Sequence, residues 1–270
     1  MLTLDQVKSK SSTRLIGLHP VVMAAATVLI ERCYSRGVPI LITQGLRTIA
    51  EQNGLFAQGR TQAELNAAGL SSVKAQPDKP KVTNAKGGTS YHNFGLAIDF
   101  ALLLPDGKQV SWDLKRDGDG DKVADWTEVV QEAKALGFEW GGDFVSIKDA
   151  PHFQITFGMT TSQLRAGAKP SEIAMAKASA IIERLKGEVD EDMSRIEELE
   201  AIVVKQDERL ATIEKRLNIS GKETYAINYT EAITAAKAVG AITTSAEKSK
   251  IELNVIQMLY NMGLFAKGDK

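Results

Sequence analysis

Hydrophobic and polar residues alternate with changing periods along the first 165 residues, and these periods predict a mixture of helices and strands. Apolar residues at helical spacing predict three helices, over residues 20–36, 49–58 and 126–136. Runs rich in β-branched and aromatic residues predict three strands, over residues 38–43, 96–104 and 152–157. The polar stretch 74–89, which contains two prolines and two glycines, predicts a loop. Residues 1–165 are therefore predicted to form one domain of mixed α and β structure.

After residue 165 the hydrophobic period changes to seven, which is typical of a coiled coil. One set of apolar residues recurs at every seventh position: Met175, Ile182, Val189, Ile196, Val203, Leu210 and Leu217. A companion set lies three residues after the first six of these: Ala178, Leu185, Asp192, Leu199, Gln206 and Ile213. We call the two sets the heptad seam. A single amphipathic helix lying on its own domain is the alternative, but the length of the seam favours a coiled coil over residues 166–220, and hence a homo-oligomer.

The C-terminal residues carry a weaker helical pattern. Gly221 is predicted to end the coiled coil, and two helices are predicted near residues 229–239 and 246–262. Thr244 and Glu247 have the spacing of a capping box for the second of these helices. Residues 221–270 are therefore predicted to be a small helical module, too short for a strong hydrophobic core of its own.

Composition excludes several classes of protein. The 270 residues carry a net charge of −1 and are 43% hydrophobic, so charge provides no case for a nucleic-acid partner or for binding to an anionic membrane. The single cysteine, Cys33, excludes an intrachain disulfide framework. The first residues lack the basic start and apolar core of a secretory signal, which predicts synthesis in the cytoplasm without a signal peptide.

The chain has only three histidines, and two of them lie in segments that also carry aspartates. His92 and Asp99 lie in SYHNFGLAIDF, and His152 follows Asp149 in KDAPHFQ. A catalytic zinc ion takes three nitrogen or oxygen ligands from the protein and one water, and a nearby carboxylate can accept the proton of that water. The spacing is consistent with such a site and equally with unrelated core and surface residues. The third histidine, His19, is expected to cap or pack against the helix that follows it.

Several segments resemble the zinc D-alanyl-D-alanine carboxypeptidases and L-alanyl-D-glutamate endopeptidases. The family motif S-x-H-x-x-G-x-A-x-D is similar to residues 90–99. Further similar segments follow the order of the family, and together they span residues 15–157: ILITQGLRT, EQNGLFAQGRT, GFEWGGDF and KDAPHFQ. The resemblance implies an α+β catalytic domain of the type that these peptidases share with hedgehog proteins, in which helices flank a small antiparallel sheet.

The resemblance also implies a role for each residue of the site. His92, Asp99 and His152 would bind zinc, and Asp149, three residues before the last ligand, would be the catalytic base. Arg47 would bind substrate or stabilise the developing oxyanion, because a guanidinium offers fixed and always charged donors. Two further residues are candidates for substrate binding, the first being equally consistent with a turn residue: Ser90 and Gln44.

Within this family, the segments TQGLRT, QGRT and WGGDF are most similar to phage endolysins and related bacterial enzymes that cleave the L-Ala–D-Glu bond of peptidoglycan stem peptides. The resemblance therefore implies a zinc peptidase that acts on the bacterial cell wall after release from the host cytoplasm. A D-Ala-D-Ala carboxypeptidase is one alternative, and a phage virion structural or adhesion protein with a peptidase-like domain is another. Residues 221–270 would serve oligomerisation or cell-wall binding.

The acidic segment DGDGDKVADWTE is a second candidate metal site. Its carboxylates occupy positions 1, 3, 5, 9 and 12 of a calcium-loop pattern: Asp117, Asp119, Asp121, Asp125 and Glu128. Lys122 stands at position 6, where calcium loops have glycine. An acidic surface turn before the helix that starts near Trp126 is an equally good interpretation, since acidic residues stabilise helix N-termini.

Overall fold

The structure, a computed structural model, describes residues 2–145, 148–217, 229–244 and 248–265. The chain divides into two compact units, Met1–Met193 and Ser194–Lys270. The first unit combines a small antiparallel sheet with flanking helices, so the α+β class predicted for the catalytic domain is confirmed. The predicted domain limits at residues 165 and 220 stay predictions.

Five strands form one antiparallel sheet in the first unit: Ile40–Gln44 (β1), Ala97–Leu103 (β2), Val110–Ser111 (β3), Glu139–Trp140 (β4) and His152–Gln154 (β5). Their order is β1-β2-β5-β4, and β3 pairs with β2. The register places Asp99 of β2 opposite Gln44 on one side and His152 on the other. Polar residues from three adjacent strands therefore lie side by side in a largely apolar sheet.

Six helices accompany this sheet: Leu4–Leu15 (α1), Pro20–Ser35 (α2), Ile49–Phe56 (α3), Gln62–Ala67 (α4), Asp125–Ala135 (α5) and Thr161–Arg165 (α6). Helix α2 is largely buried because its sequence is apolar on most faces. As expected, His19 caps this helix, and its Nδ1 accepts a hydrogen bond from the amide of Val21 at 3.3 Å. Phe100 of β2 packs against Phe153 of β5 with ring centroids 4.9 Å apart. This packing holds the two central strands, and the polar residues on them, at a fixed separation.

The predicted elements of the first unit are confirmed, with ends shifted by a few residues. The helix predicted over 49–58 ends at Phe56, and the helix predicted over 126–136 begins at Asp125. The strand predicted over 152–157 ends at Gln154, and the chain adopts a left-handed backbone with φ of 52° at Phe157. Loop 74–89 contains no helix or strand, as predicted, and all of it lies within the described residues.

Three helices, α1, α4 and α6, escaped the pattern analysis although a capping box marks the start of each, that of α6 being Thr160 with Gln163. Thr3 and Gln6 form a capping box at α1, and Thr61 and Glu64 form another at α4. At α1 and α4, the threonine side chain accepts a hydrogen bond from the amide of the Gln or Glu three residues later. The side chain of that Gln or Glu accepts a hydrogen bond from the threonine amide. The Thr-x-x-Gln/Glu spacing is the signal that would have predicted them.

Helix α7, Glu172–Leu217, carries the heptad seam and changes character along its length. Ile182 and Leu185 are buried in the core of the first unit. The first part of α7 therefore matches the alternative of an amphipathic helix that lies on its own domain. From residue 194 to residue 217, every described side chain is exposed. The coiled coil stays a prediction for that second part. Neither α7 nor any other described helix is long and apolar enough to cross a membrane.

The second unit contains a pair of helices, Thr230–Ala238 (α8) and Lys250–Asn261 (α9). They enclose a small core: Tyr229, Ala232, Ile233, Ala236, Leu253 and Ile256. Both predicted helices are present, but α9 begins at 250 rather than at 246, and its capping box is Ser249 with Glu252. The predicted capping partner Glu247 and the predicted helix stop Gly221 lie outside the described residues.

Candidate active site

The sheet and a short helical turn bring His92, Asp99 and His152 together. Asp99 and His152 are directly opposite each other in the antiparallel pair of β2 and β5. His92 lies in a 3-10 turn that ends at Gly95, two residues before β2. Gly95 has a φ of +66°, and a Cβ there would lie 2.7 Å from the carbonyl oxygen of Gly17, so glycine is required. This sharp turn lets His92 face the aspartate that follows it on β2.

Three side-chain atoms form a nearly equilateral triangle at this point. His92 Nε2 lies 3.1 Å from His152 Nδ1 and 3.2 Å from Asp99 Oδ1. His152 Nδ1 lies 3.2 Å from the same Asp99 oxygen. Both imidazoles are buried, and Asp99 is partly buried. The structure therefore brings together the three residues that the sequence predicted as zinc ligands.

The ring nitrogens that point away from this triangle are engaged by the protein. His92 donates from Nδ1–H to the carbonyl oxygen of Gly45 at 2.8 Å. His152 donates from Nε2–H to Gln154 Oε1 at 3.0 Å, and Gln154 Nε2 donates to Glu139 Oε2 at 2.8 Å. Because each imidazole uses its remote N–H in this way, the nitrogen that faces the triangle carries the lone pair.

The sequence analysis did not predict Gln154 or Glu139 as residues of the site. Thr156 Oγ1 completes this support by donating to the second Glu139 oxygen at 2.7 Å. Residues two apart on a strand project to the same face, so His152 and Gln154 share one. A polar side chain two residues from a candidate histidine, on a strand that is otherwise buried, is the signal that could have identified it.

Electrostatics within the triangle favour a positive charge. Burial alone would raise the pKa of Asp99, but His92 and His152 outweigh burial and hold the pKa of that carboxyl well below its usual range. Burial lowers the pKa of His152, whereas its hydrogen bond to Asp99 and the charge of that carboxylate raise it, and the net pKa is above the usual value. Either a proton or a metal ion can supply the charge that the three groups stabilise.

Asp149 reaches the same cavity from the turn that precedes β5. Its amide donates to the carbonyl oxygen of Gly141 at 3.0 Å, and its own carbonyl accepts from the amide of His152 at 3.2 Å. A Cβ on Gly141 would lie 2.3 Å from that Asp149 carbonyl, so the close approach needs glycine. Asp149 lines the cavity and keeps part of its surface exposed to solvent. This partial burial, and then the charge of Asp99, raise the pKa of Asp149 above its usual value.

Arg47 binds the oxygen of Asp99 that faces away from the histidines. Its Nη2 donates to Asp99 Oδ2 at 3.1 Å, and its Nη1 donates to Gln52 Oε1 at 2.8 Å. Gln52 is fully buried, and its Nε2 donates to the carbonyl oxygen of Ala85 at 2.7 Å. The structure thus places Arg47 beside the triangle. It also adds Gln52, a buried polar residue of α3 that the sequence analysis did not identify.

A cavity of about 460 Å³ is lined by the triangle together with Asp149 and Arg47. Ser90 also lines it, along with residues 82–85 of the long loop. Gln44 lies in a neighbouring depression of about 320 Å³, which Arg47 lines as well. The structure therefore brings Ser90 into the cavity and leaves Gln44 beside it.

Residues 117–123 of the acidic segment form an exposed loop, and residues 125–128 are the first turn of α5. Two groups of its carboxylates have oxygens within 4.8 Å of one another: Asp117, Asp119 and Asp125, and Asp119, Asp121 and Glu128. Lys122 adopts a left-handed backbone with φ of 75°, at the position where calcium loops have glycine. The backbone therefore follows a sharp turn of the kind that the calcium-loop pattern requires.

The two buried carboxylates of this segment have cationic partners in the protein. Asp125 lies 3.3 Å from Arg116 Nε and accepts a hydrogen bond from the amide of Gly118 at 2.7 Å. Glu128 accepts from Arg36 Nε at 3.0 Å. These contacts suit a surface turn that is stable by itself, as well as one that holds an ion. Calcium binding stays a prediction.

Comparison with known proteins places the chain among peptidases. A family model described as D-alanyl-D-alanine carboxypeptidase matches residues 83–155. The chain is 44% identical over 138 residues to the peptidoglycan L-alanyl-D-glutamate endopeptidase CwlK of Bacillus subtilis, a match that covers 51% of this chain and 73% of that protein. It is 32% identical over 156 residues to an L-alanyl-D-glutamate peptidase of a Listeria phage, covering 57% of this chain and 44% of that protein.

Among solved structures, the chain is similar to the L-Ala D-Glu endopeptidase ChiX of Serratia marcescens, with 29% identity. That match covers 56% of this chain and 89% of the other, and its TM-score of 0.33 is too low to support a conclusion about the fold. The segment that matches the family model contains all three residues of the triangle and Asp149. With 44% identity over most of the Bacillus relative, the chain belongs to the family of D-alanyl-D-alanine carboxypeptidases and L-alanyl-D-glutamate endopeptidases and is a metallopeptidase.

Proposed function

We propose that the protein is a zinc-dependent peptidoglycan endopeptidase that cleaves the L-Ala–D-Glu bond of stem peptides. The observation that carries the proposal is the triangle of His92 Nε2, Asp99 Oδ1 and His152 Nδ1, with edges of 3.1–3.2 Å and with Asp149 in the same cavity. The choice of bond follows the two relatives whose names specify L-alanyl-D-glutamate cleavage.

The donor atoms of the triangle fit a zinc ion. In a tetrahedral site with ligand distances of about 2.0–2.1 Å, neighbouring ligand atoms are about 3.3 Å apart. The observed separations are within about 0.2 Å of that value, and two imidazoles with one carboxylate are a ligand set typical of catalytic zinc. His92, Asp99 and His152 would hold the ion. When bound, zinc lowers the pKa of a water molecule and polarises the carbonyl of the scissile peptide.

Asp149 acts as the base in this proposal. Its carboxylate accepts a proton from the attacking water and then donates it to the leaving amine of D-glutamate. A raised pKa suits both steps, because the group must release the proton as readily as it accepts it. The backbone contact between Asp149 and Gly141 holds the carboxylate at the cavity wall beside His152.

Arg47 has two roles in the proposal. Its contact with Asp99 Oδ2 fixes the orientation of that carboxylate. A guanidinium has five N–H donors, and its remaining ones are suited to a carboxylate of the substrate, such as the one that D-glutamate carries beside the scissile bond. Ser90 lines the same cavity and would contact the peptide backbone.

The biological role that we propose is that of a phage endolysin, which acts on the bacterial cell wall after release from the host. The phage relative supports this role, although the match covers only 44% of that protein. A carboxypeptidase that removes the terminal D-Ala is the second candidate, because the matched family model carries that description. A virion structural or adhesion protein would need no base at the position of Asp149.

Digestion of purified peptidoglycan, followed by mass spectrometry of the fragments, separates these functions. Endopeptidase cleavage releases stem peptides with a new N-terminal D-glutamate, whereas carboxypeptidase cleavage removes a single alanine from the C-terminus. The Asp149→Ala variant provides the control without turnover. Fragments identical to undigested wall would contradict any peptidase function, and loss of D-alanine alone would contradict the proposed bond.

A further inference from the structure

The second part of α7 exposes the heptad seam on an isolated helix. Every described side chain from residue 194 to residue 217 is exposed, including those of Leu199, Val203 and Leu210, which are 53%, 55% and 57% exposed. A helix without packing partners is marginally stable in water, since most helical stability in proteins comes from an apolar face that packs. A partner that covers the seam would therefore stabilise this segment.

The described part of the second unit does not supply that partner. The core of this unit is built from residues of α8 and α9 and the adjoining Tyr229, and no described residue of α7 belongs to it. The first part of the seam behaves differently, because Ile182 and Leu185 are buried at 2% and 4% exposure. The heptad seam is thus covered within the chain at its start and exposed to solvent from Ile196 onward.

The charges beside the exposed seam identify the partner. The position before the first seam residue of a heptad, the basic flank, is Arg195, Ile202 and Arg209 in turn, while the position after the second seam residue, the acidic flank, is Glu200, Asp207 and Glu214. When two copies of this helix lie parallel, the basic flank of each faces the acidic flank of the other five residues further on. In an antiparallel pair, basic would face basic and acidic would face acidic, which is unfavourable.

We propose that residues 196–217 form a parallel, in-register coiled coil with the same segment of a second copy of the chain. Arg195 would pair with Glu200 of the second copy, and Arg209 with Glu214 of the second copy. Gln206 is the one polar seam residue in this segment and sets the register, because only the in-register pair places two glutamines together. This inference goes beyond the proposed peptidase chemistry and does not depend on it.

Cysteine cross-linking of the full-length protein tests the orientation. Leu199 and Ile213 are equivalent seam positions, each seven residues from Gln206, and a disulfide requires Cα atoms within about 7 Å. In the parallel arrangement, Leu199→Cys and Ile213→Cys each form disulfide-linked dimers alone, and their mixture yields no 199–213 link. The wild type, whose only cysteine is buried, is the control and remains unlinked.

Two results would overturn the proposal. A disulfide between positions 199 and 213 in the mixture would contradict the parallel, in-register pair. Absence of links in both single variants, with the wild type sedimenting as a monomer at tens of micromolar, would show that the seam is not covered by a second copy. Activity on a soluble peptide provides a separate readout, so failure of the coiled coil and failure of the peptidase proposal are distinguishable.

Charge reversal tests the role of the flanks. Changing Arg195 and Arg209 to Glu should weaken self-association about tenfold or more, because four attractive pairs per dimer become repulsive. Changing Glu200 and Glu214 to Arg should weaken it similarly, and mixing the two variants should restore association as heterodimers.

The matched control reverses two charges on the outer face of the same helix. Glu197 and Glu198 lie away from the seam, so changing both to Arg should leave the dissociation constant within about twofold. Association of the flank variants at wild-type strength would overturn the charge-based orientation. Sedimentation at several concentrations measures all four proteins.

Discussion

The triangle of His92, Asp99 and His152 and the acidic segment 117–128 are both groups of metal-ligating side chains, yet they differ in what lies behind the ligands. In the triangle, each imidazole is held from behind by a carbonyl or amide oxygen, and the aspartate is held by an arginine. In the acidic segment, the buried carboxylates use arginines and backbone amides as their main partners. In the triangle, oxygens that accept from the remote N–H groups leave the facing nitrogens available to a metal, whereas in the acidic segment arginines already lie against the buried carboxylates.

Removal of a ligand from the triangle should have the largest effect. His92→Ala deletes one of three ligands and leaves the carbonyl of Gly45 without its donor, so we expect loss of bound zinc and of all measurable turnover. Elemental analysis measures the metal, and circular dichroism checks that the variant is folded. A folded variant with full zinc content would contradict the assignment of His92.

Substitution of the base should separate metal binding from catalysis. Asp149→Asn keeps the shape of the side chain but cannot accept the proton, so we expect normal zinc content with turnover reduced by about 10²–10⁴-fold. Single-turnover kinetics on a stem peptide measure the rate of the chemical step. Turnover equal to that of the wild type would remove Asp149 from the mechanism.

Loss of the hydrogen bonds that hold the His152 imidazole should have an intermediate effect on zinc binding. Gln154→Leu removes the acceptor of the imidazole N–H and should weaken zinc binding about 10–100-fold, measured by competition with a chelator. Glu139→Gln is the matched variant, because its amide oxygen can still accept from Gln154, and its zinc affinity should stay within a few fold of the wild type. Equal affinity in all three proteins would show that this support is dispensable.

Acid should reduce turnover through protonation of Asp149. A base works only while it is ionised, and its pKa is raised by burial and by Asp99, so the acid limb of kcat should lie above the ordinary aspartate pKa of about 3.9. In Asp149→Asn, the residual rate should lose this limb. A limb at the same pH in both proteins would assign it to another group.

The acidic segment should contribute least to catalysis. Asp119 belongs to both groups of carboxylates in this segment, and we expect Asp119→Asn to leave zinc content and turnover within about twofold of the wild type. Thermal unfolding with and without millimolar calcium tests the ion: a stabilisation present in the wild type and absent in the variant is expected if the loop binds calcium. A loss of zinc in this variant would show that the two regions are coupled.

The sequence predicted the main helices, the strands β1, β2 and β5 and the members of the triangle, because each depends on local periodicity or on a motif. Gln52, Glu139 and Gln154 were not predicted, because some of the contacts that hold them come from segments 15 to 33 residues away and depend on tertiary packing. The heptad seam shows the same limit. Its period is uniform along the sequence, but only the packing of Ile182 and Leu185 reveals that its first part is covered within the chain.

Asp99 divides its two carboxylate oxygens between different partners. Oδ1 faces the two histidines, while Oδ2 accepts from Arg47. An aspartate tethered in this way would offer a metal one oxygen rather than two. Such a monodentate ligand would leave coordination positions for water and a peptide carbonyl. Because calcium and magnesium require six or more oxygen ligands, the contact between Arg47 and Asp99 would also favour zinc over these ions.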